Sequence, residues 1–239
     1  MSKNTGRVIL FPVPLSETAP ADVMPAGNIG LLRGVRYFVV ENTRSARRFL
    51  RSAISDFDID ACTFTELNEH THAADVVAML EPAIHGHDIG VISEAGCPAV
   101  ADPGSDLVAA AHRVGVEVLP LIGPSSLLLG LMGSGFNGQE FAFLGYLPVD
   151  ADARRTRLRQ IEREVRTTGR TSIFIETPYR NNRMIADIVR SLSSHTLLCV
   201  ASDVTGPKQN IRTMNVGRWA KAEYDYDRVP TIFLLGRGQ

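Results

Sequence analysis

Lysine is scarce in this sequence. Of its 25 basic residues only three, Lys3, Lys208 and Lys221, are lysines, and the rest are arginines. Arginine suits bidentate contacts with phosphate, although a bias in genome composition would give the same count. Acidic residues balance the basic ones, since the formal net charge is −1. This charge excludes a globally basic nucleic-acid binder and leaves local basic patches open.

Cysteine is also rare. Cys62, Cys97 and Cys199 are odd in number, lie far apart and form no Cys-x-x-Cys motif. Such cysteines are typical of a reducing compartment, so we expect a cytoplasmic protein. The first residues, Met-Ser-Lys-Asn-Thr-Gly-Arg, lack the apolar core of a signal peptide.

The chain has no long uninterrupted apolar run. Residues 118–139 carry no charge over 22 residues, but Pro120, Pro124 and Asn137 interrupt them, so we expect no membrane span. The glycine pattern Gly133-x-Gly135-x-x-Gly138 follows a predicted helix and precedes a predicted strand. This order is the reverse of what a dinucleotide site needs, so we interpret the pattern as a helix exit and a turn.

Two histidine pairs, His70-x-His72 and His85-x-His87, invite a metal interpretation. Neither pair has an accompanying pattern of cysteine or carboxylate ligands, so we expect no metal site.

Strand-like and helical patterns alternate through the first half of the chain, which predicts an α/β fold with a largely parallel sheet. Strands are predicted near residues 8–11, 37–40, 61–65, 89–92 and 116–120, with helices near 43–53, 71–80 and 106–113. The second half combines further strands with predicted helices near residues 126–132, 152–168 and 180–192.

A stiff loop follows the strand at residues 89–92. Gly96 permits a close approach of the backbone to a ligand, while Pro98 and Pro103 fix φ and remove backbone donors. Open α/β sheets bind ligands at the carboxyl ends of their strands, so this loop is the first candidate for a ligand site. A tight turn that merely joins strand to helix is the alternative.

A set of short motifs resembles the tetrapyrrole methylase superfamily of S-adenosylmethionine-dependent methyltransferases, and within it the branch of ribosomal RNA small-subunit methyltransferase I. The resemblance covers nearly the whole chain in the right order. It rests on Ser93-Glu-Ala-Gly-Cys-Pro98, Asp102-Pro-Gly104, Gly123-Pro-Ser-Ser126, Glu41-Asn-Thr-Arg44, Asn68-Glu-His70, Gly145-Tyr-Leu-Pro148, Ile175-Glu-Thr177 and Pro230-Thr-Ile-Phe-Leu-Leu-Gly236.

The resemblance implies two α/β domains with the cofactor in the cleft between them. Residues 1–122 would form an N-terminal domain with a mostly parallel sheet, and residues 123–239 a C-terminal domain with a mixed sheet. It also implies S-adenosyl-L-methionine as cofactor and a homodimer. The cofactor-binding residues that it implies are Pro14, Gly96, Cys97, Val100, Ser125, Ser126, Ile175, Pro230 and Thr231.

Three carboxylates, Glu41, Glu94 and Glu176, are candidates for a general base, and the sequence does not rank them. Glu41 could equally cap a helix, and Cys97 could be a small packed thiol.

A row of arginines four residues apart, Arg155, Arg159 and Arg163, could follow RNA phosphates. Glu162 and Glu164 lie among these arginines and reduce the positive charge of the row, so a solvated helix face is the simpler interpretation.

The departures from the branch fall mostly on the acceptor side. Asn42 and Glu94 stand where the branch has Asp, Cys97 where it has Thr, and the chain ends at Gln239 without a further C-terminal segment. The leading hypothesis is ribose 2′-O-methylation of small-subunit ribosomal RNA. A methyltransferase acting on a small, tetrapyrrole-like molecule and a non-catalytic cofactor-binding module are the alternatives.

Overall fold

The computed structural model describes residues 5–68 and 71–237. The chain divides into two compact units, the first ending at Ser125 and the second starting at Ser126. The boundary predicted from the sequence, between residues 122 and 123, stays a prediction.

The first unit contains a parallel sheet of five strands among the described residues. Their order across the sheet is β3-β2-β4-β1-β5, so β4 lies in the middle, and every strand pair is parallel. The strands are β1 (Arg7–Phe11), β2 (Tyr37–Val40), β3 (Thr63–Glu66), β4 (Ile89–Ile92) and β5 (Glu117–Pro120). The helices are α1 (Pro20–Val23), α2 (Ala26–Leu32), α3 (Thr43–Ala53), α4 (Ala73–Ala78), α5 (Glu81–Ile84) and α6 (Ser105–Val114).

Successive residues of the first sheet face opposite sides, as the two-residue period of a strand requires. Ile9 and Phe11 of β1 pack with α2 and α3 in one apolar core. Val8 lies in a second core, on the other face, with residues of α4, α5 and α6. The inner strands β2 and β4 consist entirely of apolar and aromatic residues because helices cover both faces of the sheet.

The second unit is built around a mixed sheet, in the order β6-β7-β10-β8-β9. Strands β6 and β7 are parallel, and the other pairs are antiparallel. The elements are α7 (Ser126–Ser134), β6 (Phe141–Tyr146), α8 (Ala151–Thr168), β7 (Thr171–Ile175), a 3₁₀ turn (Pro178–Arg180), α9 (Asn181–Ser191), β8 (Leu197–Ser202), β9 (Asn210–Asn215), α10 (Val216–Trp219) and β10 (Thr231–Gly236).

Helix α7 packs closely on the second sheet because it has glycine at the contact. A Cβ atom on Gly130 would lie 2.3 Å from Cδ1 of Ile232. The next residue of β10, Phe233, faces the opposite side and packs in a core with α8 and α9. The α/β class predicted from the sequence is therefore confirmed for both units.

Candidate functional site

The carboxyl ends of β1 and β4 are the place where the topology of the first sheet favours a ligand. The chain leaves β1 to form α1 and α2 on one face of the sheet, and it leaves the neighbouring β4 to form α6 on the other face. Two adjacent strands whose connections diverge in this way open a crevice at the edge of a parallel sheet.

Three loops of the first unit converge at this edge. The loops after β1 and β4 form an antiparallel bridge, in which the Val13 amide donates to Gly96 O (2.9 Å) and the Gly96 amide donates to Val13 O (3.1 Å). The loop after β5 joins them, because the Cys97 thiol donates to Pro124 O at 3.5 Å. Asn28 of α2, a buried side chain, donates to Ile122 O at 2.8 Å and fixes the same loop.

The loop after β4 has an unusual backbone. Gly96 (φ 71°), Ala99 (φ 66°), Ala101 (φ 62°) and Gly104 (φ 129°) all have positive φ. The two alanines cost roughly 1–2 kcal/mol each relative to ordinary backbone. Such strain persists only where the surroundings impose it, and it concentrates at binding and catalytic loops.

Three carboxylates, which we call the acidic cluster, lie around the start of this loop: Glu41, Glu94 and Asp102. The Glu94 amide donates to Glu41 Oε2 at 3.2 Å. Burial raises the pKa of Asp102 to about 6, and the charges of Glu41 and Glu94 contribute to the rise, whereas a hydrogen bond with Ser93 opposes it.

Helix α3 begins directly beside the acidic cluster. The Asn42 side chain caps this helix, since its Oδ1 accepts from the amides of Arg44 and Ser45 at 3.0 Å each. The Ser45 hydroxyl donates to Glu94 Oε1 at 3.3 Å. Asn42, which stands where the resembled branch has Asp, is therefore the N-cap of this helix.

A pocket of about 440 Å³ lies between α3 and the loop after β1. Its lining is polar on the α3 side and includes Glu94 at its edge, so the pocket adjoins the acidic cluster. The lining residues are Val13, Pro14, Ser16, Glu17, Thr18, Ala19, Pro20, Ser45, Arg48, Phe49, Ser52, Ser93 and Glu94.

Most of the predicted site residues in the first unit come together. Pro14 lines the pocket, and Gly96 and Cys97 belong to the converging loops. Val100 exposes 47% of its surface on the loop after β4. Burial raises the pKa of the Cys97 thiol, with a further contribution from Asp102, so the thiol stays protonated and packs rather than reacts.

In the second unit, three of the predicted residues lie together at the place where β7 ends and β10 begins. Ile175 of β7 pairs with Ile232 of β10, which follows Pro230 and Thr231 directly. Ser126 is the first residue of α7, a helix that is distant in sequence from these two strands.

Glu176 is buried, and one of its carboxylate oxygens is held by several hydrogen bonds. Its Oε1 accepts from the Thr177 amide (2.7 Å) and from Nε and Nη2 of Arg180 (3.0 and 2.7 Å). These bonds fix the 3₁₀ turn, so a structural function suits this carboxylate better than proton transfer does.

The glycine pattern at 133–138 is confirmed as a helix exit. Gly133 lies in the last turn of α7 against Ile211, and Gly135 has a left-handed φ of 76°.

Within residues 5–68 and 71–237, no three His, Cys, Asp or Glu side chains are grouped closely enough to hold a metal ion. His70 and Glu69 lie outside the described residues. No helix of the described part of the chain is long and apolar enough to cross a membrane.

Three residues with important contacts in the structure were not predicted from the sequence. Asp102 belongs to the acidic cluster, and Asn28 holds the loop after β5. Arg154 of α8 is buried and pairs with Asp187 of α9 at 2.5 Å. The guanidinium also donates to Pro148 O and Val149 O at 3.0 and 2.7 Å, so it fixes the loop after β6.

Solved structures share this architecture. The methyltransferase CobJ aligns over 98% of this chain and 95% of its own, with a TM-score of 0.65 and 19% identity. Uroporphyrin III C-methyl transferase from Thermus thermophilus aligns over 97% and 98%, with a TM-score of 0.56 and 15% identity. The chain therefore has the tetrapyrrole methylase fold.

Sequence relatives narrow the class. A protein of Vibrio cholerae named ribosomal RNA small subunit methyltransferase I is 30% identical over 98% of this chain and 78% of its own length. Proteins of the same name from Pseudomonas aeruginosa and Micromonospora olivasterospora are 28% and 34% identical, over 100% and 79% of this chain and 81% and 56% of their own lengths. No family model matches the chain. The chain belongs to the ribosomal RNA small subunit methyltransferase I family, and it is a methyltransferase.

Proposed function

We propose that this protein transfers a methyl group from S-adenosyl-L-methionine to a ribose 2′-hydroxyl of small-subunit ribosomal RNA. Membership of a family whose named relatives act on this RNA is the observation that carries the proposal. The likeness to tetrapyrrole methyltransferases supports the fold alone, because the identities are 19% and lower.

The chemistry of the converging loops fits this cofactor. S-adenosylmethionine carries a positive sulfonium and an ammonium group, for which the acidic cluster supplies complementary charge. The proposed contacts in the first unit are Pro14, Gly96, Cys97, Val100 and Ser125. Those in the second unit are Ser126, Ile175, Pro230 and Thr231.

When bound, the cofactor supplies an electrophilic methyl group on its sulfonium. The residues of the chain then have two tasks. They hold the acceptor hydroxyl in line with that methyl, since much of the acceleration in such a transfer is positional. They also accept the hydroxyl proton, which general-base catalysis requires.

We assign proton acceptance to Asp102. A base works best when its pKa lies near the operating pH, and the pKa of Asp102 is raised to about 6. Glu41 and Glu94, the candidates from the sequence in the same cluster, then hold the loop and raise the pKa of Asp102. Glu176, the third candidate, is engaged by Arg180 and Thr177.

Transfer of radiolabel from S-adenosylmethionine to small ribosomal subunits tests the proposal. We expect label in ribosomal RNA at a nucleotide that resists alkaline cleavage, because a methylated 2′-oxygen cannot attack the neighbouring phosphate. Label in a base, or in a small molecule of a cell extract but not in RNA, would contradict the acceptor. Binding of the cofactor without any transfer would point to the non-catalytic module.

The same proposal includes a cytoplasmic homodimer. An acceptor in ribosomal RNA requires the protein where ribosomes are assembled, and members of the resembled superfamily form homodimers. Light scattering coupled to size-exclusion chromatography measures the mass directly. A mass near twice the 26.1 kDa of one chain is the expected result.

A further inference from the structure

We infer that three exposed arginines of α3 hold phosphates of the RNA strand that carries the methyl acceptor. These are Arg44, Arg48 and Arg51, which we call the α3 arginine row. The inference rests on the proposed methylation of RNA and adds the surface on which the RNA lies.

The row occupies one face of the helix. Positions i, i+4 and i+7 lie on the same side of an α-helix, and the buried residues of α3, Ala46, Phe49 and Leu50, lie on the opposite side. Helix α3 contains four arginines and no acidic residue. The helix is therefore strongly positive, although the formal net charge of the whole chain is −1.

The arginines of the row are available for a ligand. Among the residues the structure describes, no ion pair includes Arg44, Arg48 or Arg51. Arg47, the fourth arginine of α3, differs from them, since it pairs with Asp60 at 3.2 Å and lies over the ring of Phe64. Guanidinium groups bind phosphates bidentately, so an RNA backbone supplies the partners that the protein does not.

The row adjoins the acidic cluster. Arg48 lines the 440 Å³ pocket together with Ser93 and Glu94. Ser45, one turn before Arg48 on the same helix, donates to the Glu94 carboxylate. A strand whose phosphates follow the row therefore runs past the pocket, where its ribose approaches the acidic cluster that contains Asp102.

The arginines of α8 provide a contrast. Arg155 pairs with Asp152 at 3.2 Å and donates to Ala151 O. Glu164 pairs with Arg157 and Arg170. Acidic residues thus neutralise part of the charge of α8, whereas α3 contains no acidic residue.

The test compares two triple variants of the full chain. One is Arg44→Gln, Arg48→Gln, Arg51→Gln, and the matched control on α8 is Arg155→Gln, Arg159→Gln, Arg163→Gln. The probe is purified small-subunit ribosomal RNA, and its affinity is measured over a range of salt concentrations. Titration with S-adenosylhomocysteine is performed on each variant, because this ligand reports folding and the cofactor site independently of RNA.

The logarithm of the binding constant falls with the logarithm of the salt concentration. Loss of three phosphate contacts to a single strand makes this fall less steep by about 2, which corresponds to roughly 100-fold weaker binding at 0.1 M salt. We expect this change in the α3 variant, a much smaller change in the α8 variant, and unchanged S-adenosylhomocysteine binding in both.

An equal loss in both variants, or a loss in the α8 variant alone, would overturn the assignment of RNA to α3 while leaving the proposed methylation intact. Wild-type protein that binds S-adenosylhomocysteine but no RNA would refute the RNA acceptor itself, and with it this inference.

Discussion

The backbone amide of Glu94 donates a hydrogen bond of 3.2 Å to the carboxylate of Glu41, although the two residues follow different strands of the sheet. This bond joins the ends of β2 and β4 and fixes two members of the acidic cluster. Burial, together with these two charges, raises the pKa of Asp102, the third member, to about 6. The cluster therefore contains one carboxyl whose ionisation falls near neutral pH.

Replacement of Asp102 by Asn should lower kcat by about 10²–10⁴-fold, because the amide cannot accept the hydroxyl proton. In the wild type, kcat/KM should fall as the pH drops below about 6, since the protonated carboxyl is no longer a base. The pH profile of methyl transfer measures both effects. An Asp102→Asn variant with wild-type kcat would refute the assignment.

Glu41→Gln should move the acid limb of the same profile to lower pH. The charge of Glu41 raises the pKa of Asp102, whereas the glutamine keeps an oxygen that accepts from the Glu94 amide. Glu17→Gln is the matched control, because Glu17 lines the pocket but is not among the groups that shift Asp102. A profile that moves in the control instead would contradict this account of the cluster.

Asp102 should also make the folded protein less stable as the pH rises. Its pKa is higher in the folded chain than in an unfolded one, so its contribution is fully present below about pH 4 and is lost as the pH passes about 6. Asp102 is only partly buried, so screening by solvent keeps this contribution below the roughly 3 kcal/mol that the full shift represents. Urea unfolding between pH 4 and pH 7.5 should show Asp102→Asn gaining stability relative to the wild type, and parallel curves would show that the burial is unimportant.

Gly123→Ala should weaken cofactor binding by roughly tenfold or more, since overpacking costs about 1–3 kcal/mol. A Cβ atom at this position would lie 2.3 Å from Cβ of Pro12, which belongs to a rigid ring, so the loops after β1 and β5 must separate. Gly27→Ala is the control, because nothing lies within 4 Å of a Cβ there. Calorimetric titration with S-adenosylhomocysteine distinguishes the two variants, and equal affinities would exclude this convergence as a determinant of binding.

Asp187→Ala should reduce the free energy of unfolding by about 3–5 kcal/mol, because it leaves the guanidinium of Arg154 buried without its partner. The double variant Arg154→Met, Asp187→Leu should lose less than the single variant, since it removes both charges. Denaturant unfolding measures the pair. A double variant at least as unstable as the single one would show that the bonds of Arg154 to Pro148 and Val149 matter more than its ion pair.

Regular apolar patterns made much of the fold predictable. The helix predicted at 43–53 and the strand predicted at 89–92 have the same bounds in the structure. Edge and short elements were harder. Strand β3, predicted at 61–65, lies at 63–66, because an exposed edge strand has little apolar alternation. Helices α1 and α2, which are short, were not predicted.

The site was only partly predictable, for a different reason. The raised pKa of Asp102 depends on its burial and on the charge of Glu41, which is distant in sequence, and no local pattern shows either. Arg154 did leave a signal, since it lies four residues before Leu158 and so on the buried face of α8. A charged side chain at such a position indicates a buried ion pair.

The bridge between Val13 and Gly96 makes a mechanical unit of two loops that follow different strands. Each amide of the bridge donates to the other residue, so neither loop can swing away without breaking both bonds. The two loops must therefore move together. Amide hydrogens of the two bridging residues should exchange slowly with solvent whether or not a ligand is present, as those of a preassembled platform would.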